Sequence, residues 1–161
     1  MTPDASVFLD SPPVLEPVTT LFVQVDEPLE IGELASGRRR IIPILGGTFD
    51  GPRLAGEVLP GGADWQSIRA DGCAEVMARY TLRTAQGSLI EVENRGVRHA
   101  PEPIMQKLMR GQPVAPDQYY FRTAPIFQTA DPALAWLTRD LFVARGIREP
   151  ERVLIQVFRV G

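Results

Sequence analysis

The strongest constraint on the fold of this chain is a pair of segments in which apolar and mainly polar residues alternate with a period of two. One segment covers residues 73–84 and the other residues 88–97, and Gln86-Gly87 between them has the composition of a tight hairpin turn. Such alternation is typical of β-strands with one face buried and the other in water. The two segments therefore predict an antiparallel hairpin whose inward face carries Tyr80 and Asn94.

The rest of the chain predicts an all-β protein. Its 14 glycines and 15 prolines are spread over 161 residues and divide the sequence into short extended segments, of which we count about eight to ten. One short helix is predicted over residues 103–111 and a helical turn over residues 131–137. Strands and helices do not alternate, so a doubly wound sheet is excluded. A single antiparallel β-barrel is favoured because closure removes both sheet edges, with a β-sandwich as the alternative.

The chain shows one domain preceded by an irregular segment. Residues 1–17 contain four prolines and no periodicity, which predicts an extended N-terminal arm that is either disordered or packed on a neighbouring subunit. Residues 18–161 are predicted to form the single barrel domain. The arm and the region around Trp136 offer apolar surface, so we expect a homo-oligomer, either a dimer or a larger assembly.

Composition and charge argue against several functional classes. With 17 basic and 20 acidic residues and a net charge of −3, the chain is not expected to bind nucleic acid. No apolar run approaches the roughly 20 residues that cross a bilayer, and no secretory signal is recognisable, so we expect no membrane association and a cytoplasmic location. A single cysteine, Cys73, and a single histidine, His99, argue against a disulfide and against metal sites built on these residues. We expect no metal and no other cofactor.

A glycine-rich turn places a carboxylate beside a large aromatic ring. Pro60-Gly61-Gly62 is followed by Asp64 and Trp65, with Arg69 and Asp71 close behind. In one interpretation Asp64 caps backbone amides, and Arg69 and Asp71 form a local ion pair. In the other, Asp64 lies at the mouth of the barrel against an apolar wall, which would raise its pKa and suit it to move protons.

Arg122 lies in the middle of a strand rich in aromatic residues. An outward arginine would be solvated, whereas an inward one would need a carboxylate partner, for which Asp64 and Asp71 are the best candidates. An inward guanidinium could hold an oxyanion of a ligand. Tyr80 and Asn94 either hydrogen-bond to each other or orient a polar group of a ligand.

Several segments together resemble a known family. GGADW, R-x-D-G, F-R-T and W-L-x-R-x-L-F-V-x-x-G are each weak motifs, but in combination they resemble the uncharacterised family called domain of unknown function 3237 (DUF3237, also UPF0311). The resemblance runs from about Leu21 to Val160. It implies a small calycin-like β-barrel, similar to allene oxide cyclase and dirigent barrels, and no established reaction. The family's recurring polar positions fall here on Asp64, Trp65, Arg69, Asp71, Tyr80, Asn94 and Arg122.

These observations support three hypotheses. In the first, the protein is a cofactor-independent isomerase, cyclase or lyase acting on an oxygenated, apolar small molecule. Its catalytic residues would be Asp64 as acid or base and Arg122 with Tyr80 around the oxyanion. The residues that bind the ligand would be Trp65, Arg69, Asp71, Asn94 and Tyr120. In the second, the barrel is a carrier or sensor of an apolar ligand, and in the third it is a structural barrel with a filled interior.

Overall fold

Ten strands and three short helices account for most of the residues that the computed structural model describes, 4–161. The strands are β1 (Leu15–Val25), β2 (Leu29–Leu34), β3 (Gly37–Asp50), β4 (Gly56–Val58), β5 (Ala63–Ile68), β6 (Ala74–Thr84), β7 (Leu89–His99), β8 (Tyr120–Gln128), β9 (Phe142–Arg148) and β10 (Arg152–Val160). The helices are α1 (Ser6–Leu9), α2 (Glu102–Met109) and α3 (Trp136–Arg139), and 3₁₀ turns cover Pro116–Gln118 and Pro132–Leu134.

The sheet closes on itself because β1 pairs with β10 on one side and with β3 on the other. From β10 the ring continues through β9, β8, β7 and β6. β4 and β5 both lie between β6 and β3, at different heights, and fill one position of the ring. All pairings are antiparallel, and β2 is added outside the ring on β3. The structure is thus a closed eight-stranded antiparallel barrel with two extra strands, which confirms the predicted barrel.

The alternating residues of the strands fill the barrel with two hydrophobic clusters. The larger one is built around Leu21, Phe49, Leu82, Ile90, Phe127, Leu137 and Phe142. The smaller one joins Met105 and Leu108 of α2 to Ala74, Val76, Tyr119 and Phe121. Because α2 connects β7 to β8 and α3 connects β8 to β9, the two helices lie at opposite ends of the barrel.

The N-terminal segment differs from the predicted extended arm. Residues 1–3 lie outside the described residues, and Ser6–Leu9 form one helical turn. β1 already begins at Leu15, which is opposite Val160 in β10, so residues 15–17 belong to the barrel. Proline did not stop this strand because Pro17 stands at a register irregularity, where a missing N–H is tolerated.

The β6–β7 hairpin offers a direct test of which face points inward. Leu82 is fully buried in the larger cluster, whereas Leu89, near the same turn, is 52% exposed. Leu82→Ala should therefore lower the free energy of unfolding by about 2–5 kcal/mol, because it leaves a cavity in the core. Leu89→Ala, the matched control, should change it by less than about 0.5 kcal/mol. Urea-induced equilibrium unfolding measures both, and equal effects of the two variants would contradict this barrel register.

Candidate functional site

The barrel contains an internal cavity of about 50 Å³ between the two hydrophobic clusters. Val76 and Phe121 of the smaller cluster and Tyr80 and Ile155 of the larger one contribute to its walls. A water molecule needs about 10–15 Å³ on this measure, so the cavity has room for several waters or for part of a small organic molecule.

A larger cleft of about 890 Å³ lies at the end of the barrel where α2 sits. Chain segments 26–28, 109–111 and 150–152 contribute to its rim. Val25 and Arg148 line both the cleft and the internal cavity. The cleft and the cavity therefore adjoin at these two side chains.

The glycine-rich turn before β5 places Asp64 on the cavity wall. A Cβ atom on Gly62 would lie 2.2 Å from the carbonyl oxygen of Arg79, so only glycine lets β5 begin this close to β6. Two residues later, the Asp64 carboxylate accepts hydrogen bonds from the Gln66 amide at 2.8 Å and from the Met77 N–H at 3.1 Å. Burial raises the pKa of Asp64, although these hydrogen bonds and the nearby arginines partly oppose the rise.

Three arginines lie around Asp64 and the inner part of the cleft. Arg98 and Arg40 are each only 2% exposed, and Arg148 is half-buried. Arg40 has a salt bridge to Glu30 at 3.5 Å, but among the described residues no carboxylate lies within 4.0 Å of the guanidinium of Arg98 or of Arg148. Burial lowers the pKa of all three, that of Arg98 to about 10. Within this part of the chain, two arginines are therefore held inside the barrel without a carboxylate partner.

Unpaired polar atoms are concentrated at this cavity. Among the described residues, six buried side-chain atoms have no hydrogen-bond partner: Arg40 Nε, Gln66 Oε1, Asn94 Oδ1, Arg98 Nε, Thr123 Oγ1 and Arg148 Nη1. Five of these six belong to residues that line the cavity, and Arg40 lines the cleft. Because leaving a buried polar group unpaired costs about 1–3 kcal/mol, this arrangement is suited to receiving a polar ligand or ordered water.

The two unpartnered arginines continue patterns that the sequence already contained. Arg98 follows Asn94 at an even spacing on the inward face of β7. Arg148 lies four residues after the buried Ala144 on β9, an even spacing that places both residues on the inward face of that strand. Sequence reasoning missed both, since a charged residue near a strand end is usually solvated. Extending the period of two to the ends of the strands would have identified them.

Arg122 does not face the cavity, and its predicted pairing with Asp64 or Asp71 is wrong. Its guanidinium is on the outer face of β8, where it donates to the Phe121 carbonyl oxygen at 2.9 Å and lies 5.2 Å from the Tyr120 ring centroid. The physical reason is the alternation of the strand, which buries Phe121 and therefore turns Arg122 outward. Tyr120 is 46% exposed on the same outer face and does not line the cavity.

Three other predicted ligand-binding residues also lie away from the cavity. Trp65 faces outward because its strand neighbour Gln66 is buried, and it borders a shallow hollow on the outer surface. Arg69 and Asp71 form a surface ion pair at 2.6 Å, and Asp71 also accepts a hydrogen bond from the Cys73 N–H. The local ion pair considered from the sequence is therefore the arrangement found.

The remaining predicted residues come together at the cavity. Asp64, Tyr80 and Asn94 all line it, brought there by β5, β6 and β7. Tyr80 and Asn94 do not hydrogen-bond to each other, and the Asn94 Oδ1 atom is unpaired. Burial, together with the negative charge of Asp64, raises the pKa of Tyr80. The tyrosine hydroxyl therefore stays protonated and can donate a hydrogen bond.

Within residues 4–161, no group of three or more histidine, cysteine, aspartate and glutamate side chains is placed to hold a metal ion. Over the same residues, no helix combines the length and the apolar character needed to span a bilayer. The expected independence from metals and cofactors stays a prediction.

Comparison with known proteins places the chain in a family. The model of the family described as protein of unknown function (DUF3237) matches residues 13–160. A UPF0311 protein of Rhodopseudomonas palustris is 43% identical over 143 residues, which are 89% of this chain and 94% of that protein. The crystal structure of a conserved protein of unknown function from the same organism superimposes with a TM-score of 0.91 at 41% identity, covering 94% of this chain and 99% of that one.

Two further solved structures show how widely the fold occurs. A β-barrel-like protein from Acinetobacter baumannii is 35% identical with a TM-score of 0.82, over 94% of this chain and 98% of the other. A protein from Penicillium herquei described as an enzyme has the same fold with a TM-score of 0.70 at 18% identity, over 94% and 96% of the two chains. From the matched family model and the 43% identical relative, the chain belongs to the DUF3237 (UPF0311) family.

Proposed function

We propose that this protein binds a small, oxygenated and largely apolar molecule with its reacting part in the barrel cavity, and that it catalyses proton transfer on this molecule without a cofactor, as an isomerase, cyclase or lyase does. The observation that carries the proposal is a desolvated carboxyl group, Asp64, sharing one cavity with the unpartnered guanidinium groups of Arg98 and Arg148. An enzyme that makes a carbanion or enolate uses a base together with groups that stabilise the developing negative charge, and a fixed guanidinium is one such group. Arg98 and Arg148 thus hold the oxyanion of the ligand, the role that the sequence analysis assigned to Arg122.

The arrangement supports a simple sequence of steps. Ionised Asp64 accepts a proton from a carbon next to a carbonyl group, and the electrons of the C–H bond move into an enolate. The enolate oxygen accepts hydrogen bonds from Arg98 and Arg148. Return of the proton from Asp64 to another carbon gives an isomer, and expulsion of a leaving group from the enolate gives an elimination. Neither outcome requires an oxidant or a reductant.

Hydrogen–deuterium exchange tests the proposed chemistry even while the product is unidentified. A panel of ketones and phenols is incubated with the protein in D₂O, and exchange at carbon is followed by NMR. For a compound that exchanges, Asp64→Asn should slow the rate by about 10²–10⁴-fold because the base is lost. Arg98→Met should slow it by about 10²–10³-fold because the oxyanion loses a donor.

The chain offers matched controls of the same residue types on the surface. Asp71→Asn and Arg122→Met should leave the exchange rate within about twofold of the wild type, since neither side chain reaches the cavity. Exchange that persists unchanged in both Asp64→Asn and Arg98→Met would contradict the proposal.

Titration of the two aspartates provides a test that needs no substrate. The ¹³C-carboxyl signal of Asp64 should titrate above the ordinary aspartate value of about 3.9, because burial disfavours the charged form. The Asp71 signal should titrate lower, at about 2, because Arg69 holds its carboxylate. Arg98→Met should raise the pKa of Asp64 further, since a positive charge that favours the carboxylate is removed. A pKa of Asp64 that falls in this variant would overturn the electrostatic coupling.

The second candidate function is that of a carrier or sensor. One observation favours it: among the described residues, Asp64 is the only carboxylate on the cavity wall, whereas many proton-transfer enzymes use two titrating groups. A carrier would keep its affinity for a ligand in the Asp64→Asn variant, and the bound compound would show no exchange at carbon. The exchange experiment therefore separates the two functions.

We also propose that the protein is a homo-oligomer in which the N-terminal segment packs on a second copy. Val7, Phe8 and Leu9 of α1 are 66–84% exposed, and they belong to neither of the two hydrophobic clusters of the described residues. β2 lies outside the ring and pairs only with β3 among the described strands, so it adds a free edge with Leu29 and Ile31 exposed.

Sedimentation velocity tests the proposed assembly. The wild type should sediment as a dimer or larger species at micromolar concentration, and Phe8→Asp should shift it toward the monomer because it places a charge in the apolar contact. Glu57→Asp, a conservative change at an exposed surface ion pair, serves as the control. A monomeric wild type would contradict the proposal.

A cytoplasmic location is proposed on the basis of the cysteine content. Cys73 is the only cysteine of the chain, and it is buried and free. The fold is therefore stabilised without a disulfide and suits a reducing compartment.

A further inference from the structure

The charges inside the barrel do not balance, and the excess is positive. In the part of the chain that the structure describes, Arg98 and Arg148 line the cavity together with a single carboxylate, Asp64, and the third arginine, Arg40, pairs with Glu30, which it shares with Arg38. With Asp64 ionised the cavity has one excess positive charge, and with Asp64 protonated it has two. Burying an unbalanced charge in a medium of low dielectric constant is unfavourable, and a bound negative charge relieves it.

The proton-transfer step does not supply that negative charge. When Asp64 accepts a proton from the substrate, one negative charge moves from its carboxylate to the enolate oxygen, so the total charge of the cavity and its contents is unchanged. The excess positive charge therefore requires a negative charge that the ligand already has on arrival. A carboxylate matches the planar guanidinium groups of Arg98 and Arg148. The Nε atom of Arg98 and the Nη1 atom of Arg148 are both unpaired.

Other groups that line the cavity indicate what the rest of the ligand contains. The Gln66 Oε1 and Asn94 Oδ1 atoms accept hydrogen bonds and have no donor, which a hydroxyl group would supply and a bare inorganic anion would not. Most of the apolar lining of the cavity consists of valine and isoleucine side chains, among them Val23, Ile42, Ile44, Val76, Val153 and Ile155. These surfaces favour an apolar carbon skeleton.

We propose that the natural ligand is an apolar hydroxycarboxylic acid whose carboxylate binds Arg98 and Arg148 inside the barrel. This inference rests on the proposed function, because it specifies the substrate class of the same site. The carbonyl group next to the reacting carbon is then the ligand's own carboxylate, so the enolate forms on the oxygens that Arg98 and Arg148 already hold. The ligand's carboxylate neutralises the cavity, and its hydroxyl group donates to Gln66 or Asn94. Arg148, which lines both the cleft and the cavity, meets the anion as it enters.

Three related probes isolate the contributions of the charge and of the hydroxyl group. Mandelate has a carboxylate, a hydroxyl and a phenyl ring; mandelamide lacks the charge, and phenylacetate lacks the hydroxyl. Isothermal titration calorimetry should show mandelate binding roughly tenfold to hundredfold more tightly than mandelamide, as expected for a hydrogen-bonded ion pair. Phenylacetate should bind with an intermediate affinity. The side-chain amide signals of Gln66 and Asn94 should shift on binding of mandelate.

Variants of the arginines connect this preference to the cavity. Arg98→Met and Arg148→Met should each reduce the preference for mandelate over mandelamide to within about threefold, whereas Arg122→Met on the outer face should leave it unchanged. In the absence of ligand, Arg98→Met should also raise the melting temperature, because an unpaired buried charge is removed. A purely structural arginine would show the opposite change in stability.

The outcomes distinguish this inference from the function on which it rests. Mandelamide binding as tightly as mandelate would overturn the anionic ligand and leave the proton-transfer proposal standing. Neither probe binding at millimolar concentration would also overturn the hydroxycarboxylic acid, while neutral ketones that exchange through Asp64 would still support the enzyme. A preference for mandelate that survives both cavity variants would place the binding site elsewhere and overturn the inference.

Discussion

Closure of the sheet is the constraint on which the rest of the structure depends. Once β1 pairs with both β10 and β3, no edge is left in the ring, and every second residue of eight strand positions must point into one confined space. Most of that space is filled by aliphatic and aromatic side chains. Inward-facing positions of β5, β7 and β9 instead bring polar residues into this space, so the candidate site is a direct consequence of closure.

Unpaired polar groups in the barrel interior are expected to cost stability, and this cost is informative about their role. Arg98 is almost fully buried, has no carboxylate within ion-pair distance among residues 4–161 and lies over the ring of Phe121 at 5.6 Å. A hydrophobic residue of similar volume would serve a structural barrel better. Proteins keep such unfavourable groups mainly where binding or catalysis uses them, because interactions with a ligand then compensate the desolvation.

The sequence predicted the faces of the strands better than it predicted the contacts between them. Period-two alternation predicted that Tyr80 and Asn94 point inward, and both line the cavity, as does Asp64 after the glycine turn. The same alternation, applied consistently, places Arg122 with exposed residues. The inward placement of Arg122 is wrong because the parity of a strand, and not the aromatic character of the neighbouring residues, decides which way a side chain points.

By itself the sequence determined the class of fold, because alternation and turn chemistry are local properties that neighbouring residues express within a few positions. It also determined which residue types were available, with one cysteine and one histidine in the chain. Only the tertiary structure decided which charged groups share a cavity. Asp64, Arg98 and Arg148 come from β5, β7 and β9, which no local pattern connects, and the register of the closed barrel brings their side chains to one cavity.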